Sequence, residues 1–253
     1  MAARVTLRGV SLDLPVFDVS ARSLKKRVLR LARGIEENAA GQVVVRALDG
    51  IDLDLTSGDR LGLVGHNGAG KSTLLRVLAG IYGQTAGQLT VTGKVVPLLD
   101  ISLGMDEQST GRQNIRLRGL LLGMGEAEIR KKTDDIASFT ELADYLDLPL
   151  RTYSSGMRLR LAFAIATAVD ADVLLLDEVI GVGDASFQEK ANRRLAELHA
   201  RAEIVVLAIH DNHRLRQSCN KALWLAQGRA VAFGEVNEVL SRYEASARTD
   251  RPN

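Results

Sequence analysis

The feature that most constrains this chain is a glycine-rich segment, here called the phosphate loop, which consists of Gly65, His66, Asn67, Gly68, Ala69, Gly70, Lys71, Ser72 and Thr73. It directly follows a short apolar run, and its spacing is a glycine, four residues and then Gly-Lys-Ser. Glycines let the backbone curl so that successive N–H groups face phosphate oxygens, and a following helix adds the positive end of its dipole. We therefore predict that the loop holds a nucleoside phosphate, with Lys71 neutralising the β and γ phosphates and Ser72 binding Mg²⁺.

Two acidic residues, Asp177 and Glu178, follow a second apolar run at residues 173–176. A buried strand of a parallel sheet delivers such acids to its carboxyl end, where ligands bind in α/β folds. We expect Asp177 to hold the Mg²⁺ through water and Glu178 to orient or deprotonate the attacking water. Many strands end in acids, so this pattern indicates hydrolysis only in combination with the phosphate loop.

Hydrophobic patterning predicts an α/β fold. The runs at residues 60–64, 173–176 and 204–209 are continuously apolar, which is typical of parallel strands covered on both faces. Residues 5–14 and 42–55 alternate polar and apolar positions, which predicts an antiparallel side sheet. Most of the segment 111–160 is expected to be helical, including a helix over residues 126–146.

Composition excludes several other classes of protein. The chain has 253 residues with a single cysteine, so it has neither an internal disulfide nor the Cys/His spacing of a structural zinc site. Its formal net charge of +2 does not indicate nucleic acid as a partner. No apolar run approaches the roughly 18 residues needed to cross a bilayer, and the first residues lack a signal-peptide core. We therefore expect a cytoplasmic location.

A basic segment at residues 20–40 carries Lys25, Lys26, Arg27, Arg30 and Arg33 on a helical pattern of apolar residues. One interpretation is a solvated surface helix. The alternative is a helix whose residues 22–33 contact anionic lipid headgroups or the cytoplasmic rim of a membrane protein.

Further motifs in their order along the chain resemble those of the ATP-binding cassette (ABC) ATPases, over residues 5–240. The matching residues are Ser154, Ser155 and Gly156 of the signature sequence, Asp184 of the D-loop and the switch histidine His210. The resemblance implies that ATP and Mg²⁺ bind, that two copies pair head to tail, and that the signature of one copy completes the γ-phosphate site of the other. The simpler alternatives are a helix cap for Ser154 and a strand-end histidine for His210.

The chain departs from this family at two places. Residues 98–104, where most relatives carry a glutamine that senses the γ-phosphate, contain none. Residues 41–49, where an aromatic that stacks on adenine is expected, contain no Phe, Tyr or Trp. Phe17 is our candidate for that stacking role, and its alternative is an ordinary place in the core.

Within the family, the signature at residues 153–157, the turn at 183–187 and the basic insertion resemble the cassettes of exporters for lipid-linked polysaccharides. This resemblance implies a homodimer acting with a separate membrane permease, at the cytoplasmic face of the membrane. We expect a single nucleotide-binding domain over residues 1–253, with a core and β-subdomain at about 1–95 and 162–240 and a helical subdomain at about 96–161. Residues 247–253 are expected to form a frayed tail, leaving no room for a sugar-binding domain.

Three other functions stay open at this point. The cassette would serve an exporter of a drug or a lipid, or it would be a soluble ATPase acting in DNA repair or on ribosomes. The chain lacks the coiled-coil arms of the ATPases that act in DNA repair. It also lacks the second cassette that is usual in those that act on ribosomes. A regulatory module that binds ATP without turnover is expected to lack the catalytic acid, whereas Glu178 is present.

Overall fold

The computed structural model describes residues 2–15, 35–37, 43–177, 185–209 and 211–249. These residues form two compact units, the first within Met1–Gly93, Leu176–Glu178 and Glu203–Asn253 and the second within Lys94–Leu175 and Val179–Ala202. Several sequence-based predictions fall outside the described residues, namely those for Phe17, Glu178, Asp184, His210 and the basic residues between 22 and 33.

The described chain begins with four strands, and groups of helices and strands follow. The strands are β1 (Arg4–Pro15), β2 (Ile35–Glu37), β3 (Val43–Thr56), β4 (Arg60–Val64), β5 (Ala86–Thr92), β6 (Val95–Leu98), β7 (Val173–Asp177), β8 (Ile204–Ala208), β9 (Lys221–Ala226) and β10 (Arg229–Glu235). The α-helices are α1 (Lys71–Leu78), α2 (Gly111–Leu121), α3 (Glu126–Thr140), α4 (Ser155–Ala166), α5 (Ala185–Arg201), α6 (Asn212–Ser218) and α7 (Val236–Thr249).

The first unit contains strands of a mixed sheet beside an antiparallel sheet. In the mixed sheet β4 runs parallel to both β8 and β9, and β10 is antiparallel to β9. All five residues of β8 are buried, as their continuously apolar sequence predicts for a strand covered on both faces. The second sheet has the order β2-β3-β1-β5 with antiparallel pairs throughout. The predicted α/β fold with an antiparallel side sheet is confirmed.

A β-bulge interrupts the pairing of β1 with β3. Leu12 pairs with Leu48, but the next residue of β1, Asp13, pairs with Arg46, so Ala47 is an extra residue in β3. Strict alternation would place Arg46 on the same face as the buried Leu48. Because of the extra residue, Arg46 instead shares a face with Asp13.

The second unit is mainly helical, and aromatic rings form part of its core. The rings of Phe139 on α3 and Phe187 on α5 have centroids 5.3 Å apart, and each lies 6.1 Å from the ring of the fully buried Phe163 on α4. The expected helix over residues 126–146 is shorter in the structure. It ends at Thr140 because Glu141 adopts a left-handed backbone conformation, with φ of 59°.

The last described helix, α7, continues to Thr249 and so includes the first three residues of the segment expected to fray. Among the residues that the structure describes, no helix combines the length and the apolar character needed to cross a bilayer.

Candidate functional site

The phosphate loop joins β4 to α1, and two of its glycines lie close to the backbone of neighbouring strands. Gly65 has φ of 149° and Gly70 has φ of 108°, values that residues with a Cβ rarely adopt. A Cβ on Gly65 would lie 2.2 Å from the carbonyl oxygen of Leu225, and a Cβ on Gly70 would lie 3.2 Å from that of Ala47. The glycines therefore allow the loop to approach the backbone of both β3 and β9.

Lys71 is the first residue of α1, and its side chain turns back over the loop. Its Nζ donates hydrogen bonds to the carbonyl oxygens of Gly65 (2.6 Å) and His66 (3.2 Å). Lys71 is only 8% exposed. Together with the positive end of the α1 dipole, this buried ammonium makes the loop a site for an anion.

An open cavity of about 900 Å³ lies beside the loop, entirely within the first unit. The loop residues from Asn67 to Thr73 line it, which places the Lys71 and Ser72 side chains in one site. Asp177, the half-buried last residue of β7, lines the same cavity. The structure thus brings the predicted metal-binding pair, Ser72 and Asp177, together with loop residues 67–73, whereas Gly65 and His66 lie outside the lining.

His66 does not belong to the lining of this cavity, although it was predicted as a ligand with the rest of the loop. Its ring lies 5.7 Å from that of Tyr243 on α7, and Tyr243 in turn lies 5.7 Å from Trp224 on β9. The His66 imidazole therefore contacts the C-terminal helix, and its backbone carbonyl holds Lys71.

The signature residues Ser154, Ser155 and Gly156 lie in the second unit, at the start of α4. The Ser154 Oγ accepts a hydrogen bond from the backbone N–H of Met157 (3.2 Å), so Ser154 is the N-cap of this helix. Ser154 and Ser155 are exposed. The cap explains why this helix begins here, and a role of the three residues in the site of a second copy stays a prediction.

The cavity also contains residues that the sequence did not single out. Arg46 and Asp49 of the side sheet line it, as do Gly228 and Arg229 at the turn from β9 to β10. A Cβ on Gly228 would lie 2.7 Å from the carbonyl oxygen of Ala47, so this turn packs tightly against the bulge in β3. The sequence predicted no element around this turn, and a single glycine does not by itself indicate a ligand site.

Replacement of Gly65 by alanine is expected to lower the melting temperature more than replacement of Gly68. Both residues have positive φ, and such strain costs about 1–3 kcal/mol. A Cβ on Gly68 meets no atom within 4 Å, whereas one on Gly65 meets the Leu225 carbonyl. Thermal unfolding of the two variants provides the measurement, and equal melting temperatures would contradict a close contact between Gly65 and the Leu225 carbonyl.

Comparison with known proteins gives three kinds of match. A family model described as "ABC transporter" matches residues 48–181. The O-antigen export system ATP-binding protein RfbE of Yersinia enterocolitica is 43% identical over 92% of this chain and 98% of its own length. The teichoic acids export ATP-binding protein TagH of Enterococcus faecalis is 39% identical over 79% of this chain, which spans 44% of that relative.

Solved structures share the fold at lower identity. An ATP-binding subunit of an ABC transporter has a TM-score of 0.67 and 18% identity, with 95% of this chain and 93% of that one covered. A dimeric ATP-binding cassette in a post-hydrolysis state, bound to ADP and Pi, has a TM-score of 0.64 and 18% identity, covering 92% and 98%. The matched segment contains the phosphate loop and Asp177. The chain therefore belongs to the ABC transporter family, and the prediction that it is an ABC-type ATPase is confirmed.

Proposed function

We propose that this chain is the ATP-hydrolysing subunit of an exporter for a lipid-linked polysaccharide of the O-antigen type. The observation that carries the proposal is the 43% identity to an O-antigen export protein over 98% of that protein's length. A match of this extent covers both the nucleotide site and the rest of the cassette. Relatives named for teichoic acids export support export as the activity.

The cavity in the first unit supports binding of ATP. The buried Lys71 ammonium and the N-terminus of α1 offer positive charge to the phosphates. An Mg²⁺ ion fits the groups present, because on one cavity Ser72 supplies a hydroxyl ligand and Asp177 a carboxylate that can hold the ion through water. Such an ion would neutralise phosphate charge. Glu178, directly after Asp177, is proposed to orient and deprotonate the attacking water.

The proposal also includes two partners, a second copy of this chain and a membrane permease. We expect a homodimer in which Ser154 and Gly156 of one copy act on the nucleotide of the other, together with Asp184 and with His210 at the γ-phosphate. Exposure of Ser154 at a helix N-terminus is compatible with a phosphate from a second copy. A separate membrane permease would carry the polymer, and the basic residues between 22 and 33 would hold the cassette at the anionic surface of the membrane.

Loss of the gene is expected to leave cells without surface polysaccharide, while the lipid-linked polymer accumulates on the cytoplasmic side. The physical reason is that dimer closure on ATP supplies the force for export, whereas synthesis does not depend on it. Immunoblotting of the surface polymer and extraction of the lipid-linked precursor measure both effects. Reintroduction of the wild-type chain should restore the surface polymer.

The alternatives predict other outcomes of the same experiment. Normal surface polysaccharide in the deletion strain would exclude the proposed cargo, as would loss of drug or lipid export in its place. Affinity purification adds a second readout, since the proposal predicts an integral membrane partner. Recovery of ribosomes without such a partner would indicate a soluble, non-transport ATPase.

A further inference from the structure

The backbone and the side chain of His66 make separate contacts. Its carbonyl oxygen accepts hydrogen bonds from the Lys71 Nζ (3.2 Å) and from the backbone N–H of Ala69 (3.0 Å). Its imidazole lies outside the lining of the nucleotide cavity. The carbonyl therefore helps to hold the ammonium over the loop, whereas the ring takes no part in that contact.

The imidazole is the end of a row of three rings. Its centroid lies 5.7 Å from that of Tyr243 on α7, with the ring planes tilted by 59°. The Tyr243 ring lies 5.7 Å from that of Trp224 on β9 in an edge-to-face arrangement. Tyr243 and Trp224 are half-buried, whereas His66 is exposed. Because aromatic rings at such distances stabilise each other, Tyr243 supports the exposed imidazole.

The helix that carries Tyr243 is itself held in place. Glu244, the next residue of α7, accepts hydrogen bonds from Asn212 Nδ2 (3.1 Å) and Arg216 Nη2 (2.9 Å) on α6. Three apolar residues of α7 are at most 3% exposed, namely Val236, Val239 and Leu240. The backbone of α7 is therefore fixed by buried apolar side chains and, beside Tyr243, by α6.

β9 reaches the phosphate loop at a second point. A Cβ on Gly65 would collide with the carbonyl oxygen of Leu225, the residue after Trp224. The Gly65 carbonyl is the other acceptor of Lys71, at 2.6 Å from its Nζ. Both carbonyls that hold Lys71 thus belong to residues that contact β9 or α7. Gly65 does so through its backbone, whereas His66 depends on one side-chain contact.

We propose that Tyr243 is a positioning residue of the nucleotide site, which keeps the Lys71 ammonium in place through the ring and the carbonyl of His66. The inference rests on the proposed function, because it concerns the same ATP site. Tyr243 is not among the described residues that line the cavity, so its influence on a phosphate passes through the loop. A group that is fixed beforehand needs little reorganisation when its ligand binds, and a small displacement weakens the interaction.

The test measures phosphate binding on the full-length chain by titration calorimetry. The probes are the non-hydrolysable ATP analogue AMP-PNP and inorganic tripolyphosphate, each with Mg²⁺. Tyr243→Ala should weaken binding of both probes by about two- to tenfold, the range that corresponds to loss of one aromatic pair. The two factors should be equal, because the effect lies at the phosphates. Tyr243→Phe keeps the ring and should bind both probes as the wild type does.

The Lys71→Ala background separates positioning from a general effect on the fold. The ammonium is absent there, so Tyr243→Ala should cause no further loss of affinity. A merely structural role of Tyr243 would lower the affinity by the same factor in both backgrounds. His66→Ala removes the other ring of the pair and leaves α7 unchanged. It should reproduce the loss of affinity even if Tyr243→Ala does not fold.

The matched control is Phe233→Ala, which removes another aromatic ring from the first unit. Phe233 lies on β10 and is 42% exposed, and its ring centroid is 5.9 Å from the Lys221 Nζ. Neither residue lines the cavity. The substitution should leave binding of both probes unchanged. Equal losses in Phe233→Ala and Tyr243→Ala would indicate a general loosening of the unit and would contradict the positioning role.

Other results would also overturn this role of Tyr243. These are unchanged tripolyphosphate affinity in Tyr243→Ala or His66→Ala, a large loss in Tyr243→Phe, or an undiminished effect of Tyr243→Ala in the Lys71→Ala background. A loss confined to AMP-PNP would assign the effect to the base instead of the phosphates. If the wild-type chain bound neither probe, the proposed function would fail, and the positioning role with it.

Discussion

Replacement of Lys71 by alanine is expected to weaken binding of MgATP by about 10- to 100-fold, the range that corresponds to loss of a charge-assisted hydrogen bond of about 1.5–3 kcal/mol. The ammonium is nearly buried, and its position over the loop is fixed by two carbonyl oxygens. Loss of this charge removes the electrostatic partner of the β and γ phosphates, so ATP turnover should fall as well. Equilibrium binding and phosphate release measure the two effects.

A matched control for this substitution is Lys131→Ala. Lys131 is exposed on α3 in the second unit, and it does not line the nucleotide cavity. Its removal makes the same change in net charge and should leave binding and turnover as in the wild type. Equal losses in both variants would indicate a general effect of charge, and unchanged binding in Lys71→Ala would remove this residue from the phosphate site.

Replacement of Glu178 by glutamine is expected to reduce ATP turnover by about 100-fold or more, as expected for loss of a general base. Binding should be retained, because the amide has the same shape and Asp177 and Lys71 are unchanged. The trapped ATP should stabilise the pair of cassettes, so dimers are expected to accumulate. Steady-state phosphate release and size-exclusion chromatography with MgATP measure the two effects.

The control for Glu178→Gln is the same substitution at Glu189, an exposed residue of α5. We expect wild-type turnover and no trapped dimer from Glu189→Gln. Turnover at the wild-type rate in Glu178→Gln would exclude this carboxylate from the mechanism. Loss of ATP binding in the same variant would instead indicate that Glu178 contributes to the ground-state site.

Local sequence was sufficient for the centre of the site because its determinants are contiguous. The run before Gly65 predicted β4 at its observed bounds, and the loop pattern predicted a following helix from about Ser72 to Gly80, which the structure has at Lys71–Leu78. Asp177 likewise ends a strand, as the apolar run before it predicted. Each of these features depends on the order of neighbouring residues, so no knowledge of tertiary contacts was needed.

Other local patterns were less informative because competing conformations decide where elements end. The helix expected over residues 126–146 ends early, since Glu141 leaves the right-handed region and a short 3₁₀ turn, Ala143–Tyr145, follows. The turn itself is exposed, but Leu142 and Leu146 on either side of it are buried and four residues apart, so the apolar pattern continues through the break. The position of the break was therefore not readable from the sequence.

The sequence by itself determined the family, the phosphate loop and the paired acids after β7, because these depend on residues adjacent in the chain. Only the tertiary structure decided which distant residues share the cavity, namely Arg46 on β3 and the turn at Gly228 and Arg229. The reason is physical: an extra residue in one strand reverses the faces of its side chains, and such a bulge is defined only by pairing with β1. The wall of the cavity beyond the phosphates thus arises from contacts between segments far apart in the chain.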